Sequence, residues 1–191
     1  MTIKSIKTGF TGISALAGND QWFGDFEAIA SSRVPSGGVA TVEFASIPST
    51  YQHLQLRVFG QISNVATTSA TMRMKINTST TANRAHQLYA NGASVAAYSG
   101  TTGEVGWLPY SGNTNIFGVA IIDILDYANT NKAKTIRTLT GFDKNGSGGE
   151  MVFASVLYTG TTAISGITLE TPGSGEPFTQ YSHFALYGIR G

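Results

Sequence analysis

Apolar residues recur at every second position over short runs of this chain, and clusters of Gly, Pro, Ser, Thr and Asn separate the runs. From Tyr51 to Phe59, Leu54, Leu56 and Val58 alternate with His53, Gln55 and Arg57, so an extended segment would turn one apolar face inward and one polar face outward. Thr71 to Asn77 repeats the design, with Met72, Met74 and Ile76 inward and Arg73 and Lys75 outward. Val39 to Ser46 places Val42 and Phe44 on one face and Thr41 and Glu43 on the other. Phe26 to Val34 is a further strand, broken by Pro35-Ser36-Gly37-Gly38, and Ile47-Pro48-Ser49-Thr50 is a tight corner.

Asn115 to Asp143 departs from simple alternation. Ile116 to Leu125 carries Asp123 as its one charge and is apolar on both faces, and its β-branched content predicts strand over helix. Such a run suits a strand in the middle of a sheet, with one face in a core and the other against something else. Asp126 to Lys132 is rich in residues that bond their own backbone or accept unusual dihedrals, so it turns the chain, and Lys134 to Phe142 returns. An isolated hairpin is marginal in water, so further strands must cover this one. Glu150 to Tyr158 is another nearly all-apolar strand after the turn Gly146-Ser147-Gly148-Gly149. Ile164 to Leu169 is shorter, Thr171 to Pro177 is a loop, and Tyr181 to Arg190 is the closing strand.

Two stretches read differently. Arg84 to Ala90 and Ser94 to Tyr98 form a weak strand pair, followed by a long surface excursion from Ser99 to Asn113. Its Trp107, Leu108 and Tyr110 mark a candidate ligand or interface loop, because apolar groups in long loops generally find cover. Met1 to Asp25 shows no sustained period and scatters apolar residues among glycines, which predicts an extended N-terminal arm lying across a surface. Lys4, Lys7, Phe10, Ile13, Leu16, Trp22 and Phe23 are its candidate contact residues, either as a clamp on a neighbouring subunit, the favoured alternative, or as a brace on its own domain. The expected organisation is an arm over residues 1–25 and one domain over 26–191. About nine strands at hairpin spacing without a convincing helix argue a sandwich or barrel. The fold class expected is all-β, a jelly-roll-like antiparallel β-sandwich in preference to an immunoglobulin-like one.

Composition narrows the function classes. Only 12% of the 191 residues are charged and the formal net charge is +1, which gives no electrostatic reason to expect nucleic acid or an anionic membrane as partner. Free-standing domains usually carry about 25% charged residues, so either much of the surface is hidden in an assembly or Ser, Thr and Asn coat it. With 41% hydrophobic residues the chain is too apolar for disorder. No run approaches the roughly 20 apolar residues of a membrane helix, and the start lacks the apolar core of a signal peptide, so a soluble protein made without a secretion signal is expected. The absence of cysteine removes disulfides, thiolate metal sites and cysteine nucleophiles together.

Candidate chemistry is sparse. His53, His86 and His183 lie on separate strands without short-range ligand spacing, and the bland reading as hydrogen-bonded strand residues outweighs a metal site. Asp126 looks like a turn former and Asp123 like a strand residue held by a neighbour, rather than a glycosidase pair. Asp143 to Glu150 superficially matches a calcium loop, but its spacing is wrong for one and a hairpin turn is expected. No nucleophile elbow, P-loop or dinucleotide fingerprint is present. Neither an enzymatic activity nor a cofactor or metal is expected.

Three pieces carry a resemblance: Phe44 to Arg57 (FASIPSTYQHLQLR), Ile122 to Lys132 (IDILDYANTNK) and Phe184 to Ile189 (FALYGI). In their order and spacing the chain resembles a group of tailed-bacteriophage virion proteins, common in aquatic and cyanobacterial phages, whose domains end in a similar FxLYGI strand. The resemblance runs from about Phe26 to the end. It implies a jelly-roll structural protein on the surface of the phage particle, made in the host cytoplasm. The first expectation is a capsid cement or decoration protein that stabilises the head by bridging capsomers. Its partners would be the major capsid protein or another virion protein and, as the family suggests, further copies of itself in a homotrimer. The alternative is a host-binding module of a head or tail fibre that reads glycans or a receptor. The resemblance carries no catalytic residues to transfer.

Overall fold

The computed structural model describes residues 26–63, 69–79, 83–100, 102–146, 148–172 and 176–191. The predicted N-terminal arm therefore lies outside the described residues. Two antiparallel sheets face each other, which gives the all-β, jelly-roll-like sandwich that the spacing of apolar runs predicts. The strands are β1 (Phe26–Arg33), β2 (Thr41–Phe44), β3 (His53–Gly60), β4 (Ser69–Ile76), β5 (Asn83–Ala90), β6 (Val95–Gly100), β7 (Glu104–Pro109), β8 (Gly118–Ile124), β9 (Lys134–Asp143), β10 (Gly149–Tyr158), β11 (Ile167–Glu170) and β12 (His183–Ile189).

The larger sheet has eight strands in the order β1-β12-β3-β8-β9-β10-β5-β6, and the smaller has four in the order β2-β11-β4-β7. Their facing sides make the core. Leu54, Leu56 and Val58 of β3, Met72, Met74 and Ile76 of β4, and Val42 and Phe44 of β2 are all buried, as the period of two requires. Fully burying one such side chain stabilises the fold by about 1.5–3 kcal/mol, so these inward rows hold the two sheets together. Phe178 and Phe184 meet edge to face at 4.9 Å beneath them. The run apolar on both faces is β8, and it does sit in the middle of the large sheet, between β3 and β9. Ala120, Ile122 and Ile124 enter the core while Val119 and Ile121 point out.

Twelve strands rather than about nine are present among the described residues, and one of them lies in the stretch read as a surface excursion. Glu104–Pro109 is strand β7 of the small sheet, paired with β4, and not a loop. Leu108 and Tyr110 are buried, and Trp107 is half-buried with its ring 4.9 Å from that of Tyr89. A register shift between Met72 and Arg73 and the φ of 130° at Gly106 break the alternation here, so both Val105 and Gly106 are buried and no period of two survives in the sequence. Packing at Gly106 is close: a Cβ there would lie 2.2 Å from Thr140 Cγ2.

Candidate interaction face

The outward side of the large sheet follows from the same alternation that builds the core. In one cross-strand row Ile121, Leu139, Phe153 and Leu88 stand in register on β8, β9, β10 and β5. Each is between 41% and 53% exposed. The next row holds Phe59, Val119, Gly141 and Met151, with Phe59, Val119 and Met151 about half exposed. Antiparallel sheets that face water usually carry polar residues there; these two rows instead form a contiguous apolar band across five strands, about 20 Å wide. Scattered exposed apolar residues need no explanation, but a band of this kind marks an interaction surface.

Gly141 leaves a dent between Val119 and Met151. Above it opens a trough of about 880 Å³, floored by Val119, Ile121, Leu139 and Met151. Its walls are the β5–β6 turn at Asn91 to Ala93 and the β9–β10 turn that starts at Asp143. The second wall is the hairpin expected from sequence: Lys144 N donates to Gly148 O at 2.8 Å, and Asn145 and Gly146 take positive φ. Glu150 borders the trough, but its side chain alternates to the inner face of β10 with Val152, where its Oε2 is shielded from solvent with no hydrogen-bond partner among the described residues.

A polar stripe bounds the band on the next row, where Gln55, Asp123, Arg137, Ser155 and His86 stand in register. Gln55 Nε2 donates to Asp123 Oδ1 at 2.7 Å, and Arg57 Nε donates to Gln55 Oε1 at 3.0 Å. Arg57 also lies 5.0 Å and 5.4 Å from the ring centroids of Phe26 and Tyr187, which stack on each other.

The chemistry-bearing residues singled out from sequence do not converge. Asp123 is held by Gln55, and Asp126 is a turn residue with φ 49° whose carboxylate accepts from Lys132. That contact holds the Asp126 carboxyl below the usual carboxylate range. His53 Nδ1 accepts from Asp126 N at 3.0 Å, while His86 and His183 stand on β5 and β12. No three His, Asp or Glu side chains are grouped to hold a metal among the described residues. Lys134 is fully buried, and its Nζ donates to the carbonyl oxygens of Thr161 and Thr162 at 2.6 Å and 2.8 Å; burial pushes its pKa down. It ties the loop at Thr161 and Thr162 to β9.

Lys4, Lys7, Phe10, Ile13, Leu16, Trp22 and Phe23 lie outside the described residues. Of the candidate loop residues, Leu108 and Tyr110 are buried in the protein's own packing. The band itself was not singled out from sequence, although β8 and β10 signalled it by being apolar on both faces.

No family model matches the chain, and no curated protein matches it. Among solved structures it is similar to the marine PL-14 alginate lyase from Aplysia kurodai, at 7% identity over 82% of this chain and 81% of that one, with a TM-score of 0.22. A likeness at that level bears on neither mechanism nor substrate.

Proposed function

We propose that this chain is a non-catalytic structural protein of a phage particle, a capsid cement or decoration protein that stabilises the head by bridging capsomers. One observation carries the reading: the outward face of the large sheet presents a two-row apolar band where a solvated sheet would be polar. The low charge of the chain and the resemblance of FASIPSTYQHLQLR, IDILDYANTNK and FALYGI to phage virion proteins support it. Covering a half-exposed Leu or Phe contributes about 1 kcal/mol, whereas an exposed ion pair contributes about 0–1 kcal/mol after screening. Attachment through this face is therefore apolar in origin and changes little with salt. The partners are the major capsid protein and further copies of the chain, a homotrimer in the family's manner.

The trough favours a second reading, a glycan- or receptor-binding module of a head or tail fibre. An apolar floor with Asn91 and Asp143 at its sides, over about 880 Å³, is of the size that small ligands occupy. Antibody labelling of the chain on intact particles separates the two. Many copies over the head support the cement reading, a few copies at the tail support the fibre reading, and no copies on the particle overturn both.

A further inference from the structure

We infer that a second copy of this chain covers the apolar band, the two large sheets packing face to face about a two-fold axis that runs along the strands between β8 and β9. This rests on the cement reading and names the occupant of the face it uses. Area, register and charge each carry part of it.

Seven side chains of the two rows are between 41% and 56% exposed. At about 100 Å² apiece, half the area of a large side chain, they offer roughly 700 Å². The largest apolar patch on a typical monomer is about 300–600 Å², whereas each partner of a stable pair buries about 800 Å². The band exceeds the first figure, and with the polar row beside it reaches the second.

A face that pairs with itself must be complementary to its own image under the two-fold. Packed sheets lie about 10 Å apart with their strands within about 30° of each other, so each row lies over the same row of the other copy with the strand order reversed. Strand β8 then lies over the partner's β9, and β3 over the partner's β10. Val119 falls over the partner's Gly141, so a side chain meets the dent where one is missing. Ile121 meets the partner's Leu139, and Phe59 meets the partner's Met151. Both walls of the trough, the β5–β6 and β9–β10 turns, stand on the β9 side of the axis, so the walls of the two copies sit at opposite ends of the interface and do not collide. Each trough takes the partner's Phe59, which is backed by Phe117 with their ring centroids 5.0 Å apart.

In the polar row the same operation places Asp123 opposite the partner's Arg137, and Arg137 opposite the partner's Asp123. Two ion pairs thus cross the interface. Arg57, the remaining charge in these rows, meets the partner's Phe153 and no second cation. A two-fold contact here adds to a three-fold contact elsewhere on the chain, and the joined pair presents two copies to two capsomers.

The test uses the full chain. Asp123→Arg gives a face with two cations at this pair of positions and Arg137→Asp one with two anions, so neither matches its own image but each matches the other. Sedimentation equilibrium is expected to show each variant self-associating about tenfold more weakly than wild type, and the equimolar mixture returning to within about threefold of it. A wild type that does not self-associate, or a mixture no tighter than either variant alone, overturns the inference. A second readout leaves the charges in place. With a benzophenone analogue of phenylalanine in place of Phe59, irradiation is expected to join that position to β10 of another copy near Met151, and absence of the link overturns the inference. Antibody labelling of intact particles reads the cement function separately. Labelled heads with a chain that does not pair sink this inference alone, whereas a chain that pairs but is missing from the particle sinks the cement reading alone.

Discussion

Leu139 and Phe153 stand directly opposite each other on β9 and β10, each about half exposed, so two large apolar side chains form a cross-strand pair that faces away from the core. Cross-strand apolar pairs contribute about 0.2–1 kcal/mol to a sheet, too little to account for placing them in water. What they contribute when another surface covers them is larger. Leu139→Lys and Phe153→Lys are therefore expected to lower stability by no more than about 1 kcal/mol and to abolish attachment to particles. Leu56→Ala, at a fully buried position, is expected to cost about 2–5 kcal/mol. Urea titration of the three variants beside a particle-binding assay checks the contrast; equal binding by the lysine variants contradicts it.

Lys134 is expected to act as a buried clamp. Lys134→Ala removes the donor shared by the Thr161 and Thr162 carbonyl oxygens and is expected to cost about 2–3 kcal/mol. Because burial lowers its pKa below the 10.5 of an exposed lysine, the folded state binds fewer protons than the unfolded state between the two values. Stability contributed at this site therefore rises with pH across that window. Thermal melts of wild type and Lys134→Met should therefore draw further apart on approaching pH 10.5, and a gap that narrows contradicts this assignment.

The Asp126–Lys132 pair gives a dependence of the same sign, but in the acid range. Asp126 has a folded pKa below its ordinary 3.8, chiefly through the hydrogen bond from Lys132, so its contribution is complete above 3.8 and lost as pH falls through the lower folded value. Asp126→Asn is expected to flatten the stability profile in that acid range while leaving the neutral-pH melt nearly unchanged. An unaltered acid profile would show that the turn gains nothing from the pair.

At Gly106 two constraints coincide: φ is 130°, and a Cβ would sit 2.2 Å from Thr140 Cγ2. Gly106→Ala is expected to destabilise by about 3 kcal/mol or more. Adding Thr140→Ala should recover only part, because the clash is relieved and the backbone strain remains. Full recovery in the double variant, measured by denaturant melts, would assign the whole cost to sterics.

The strands that alternate cleanly were legible in the sequence because burial of one face dictates their period; β2, β3 and β4 are of this kind. Strand β7 was not, since the bulge beside Met72 and the glycine at 106 let successive residues turn inward. The candidate face was half legible. The two-sided apolar character of β8 announced that something covers its outer side, but only register joins Ile121 to Leu139, Phe153 and Leu88 in one row. Pairing of strands distant in sequence is set by tertiary packing, and no local pattern carries it. The dent over Gly141 was illegible for the same reason, since it exists only between side chains of two neighbouring strands.

Subunit-resolution electron microscopy of the assembled particle tests the central claim most directly. The expected map shows copies of this chain on the head with the row from Ile121 to Leu88 pressed against another protein chain. A map in which that row faces solvent, or in which the chain is missing from the head, contradicts the account.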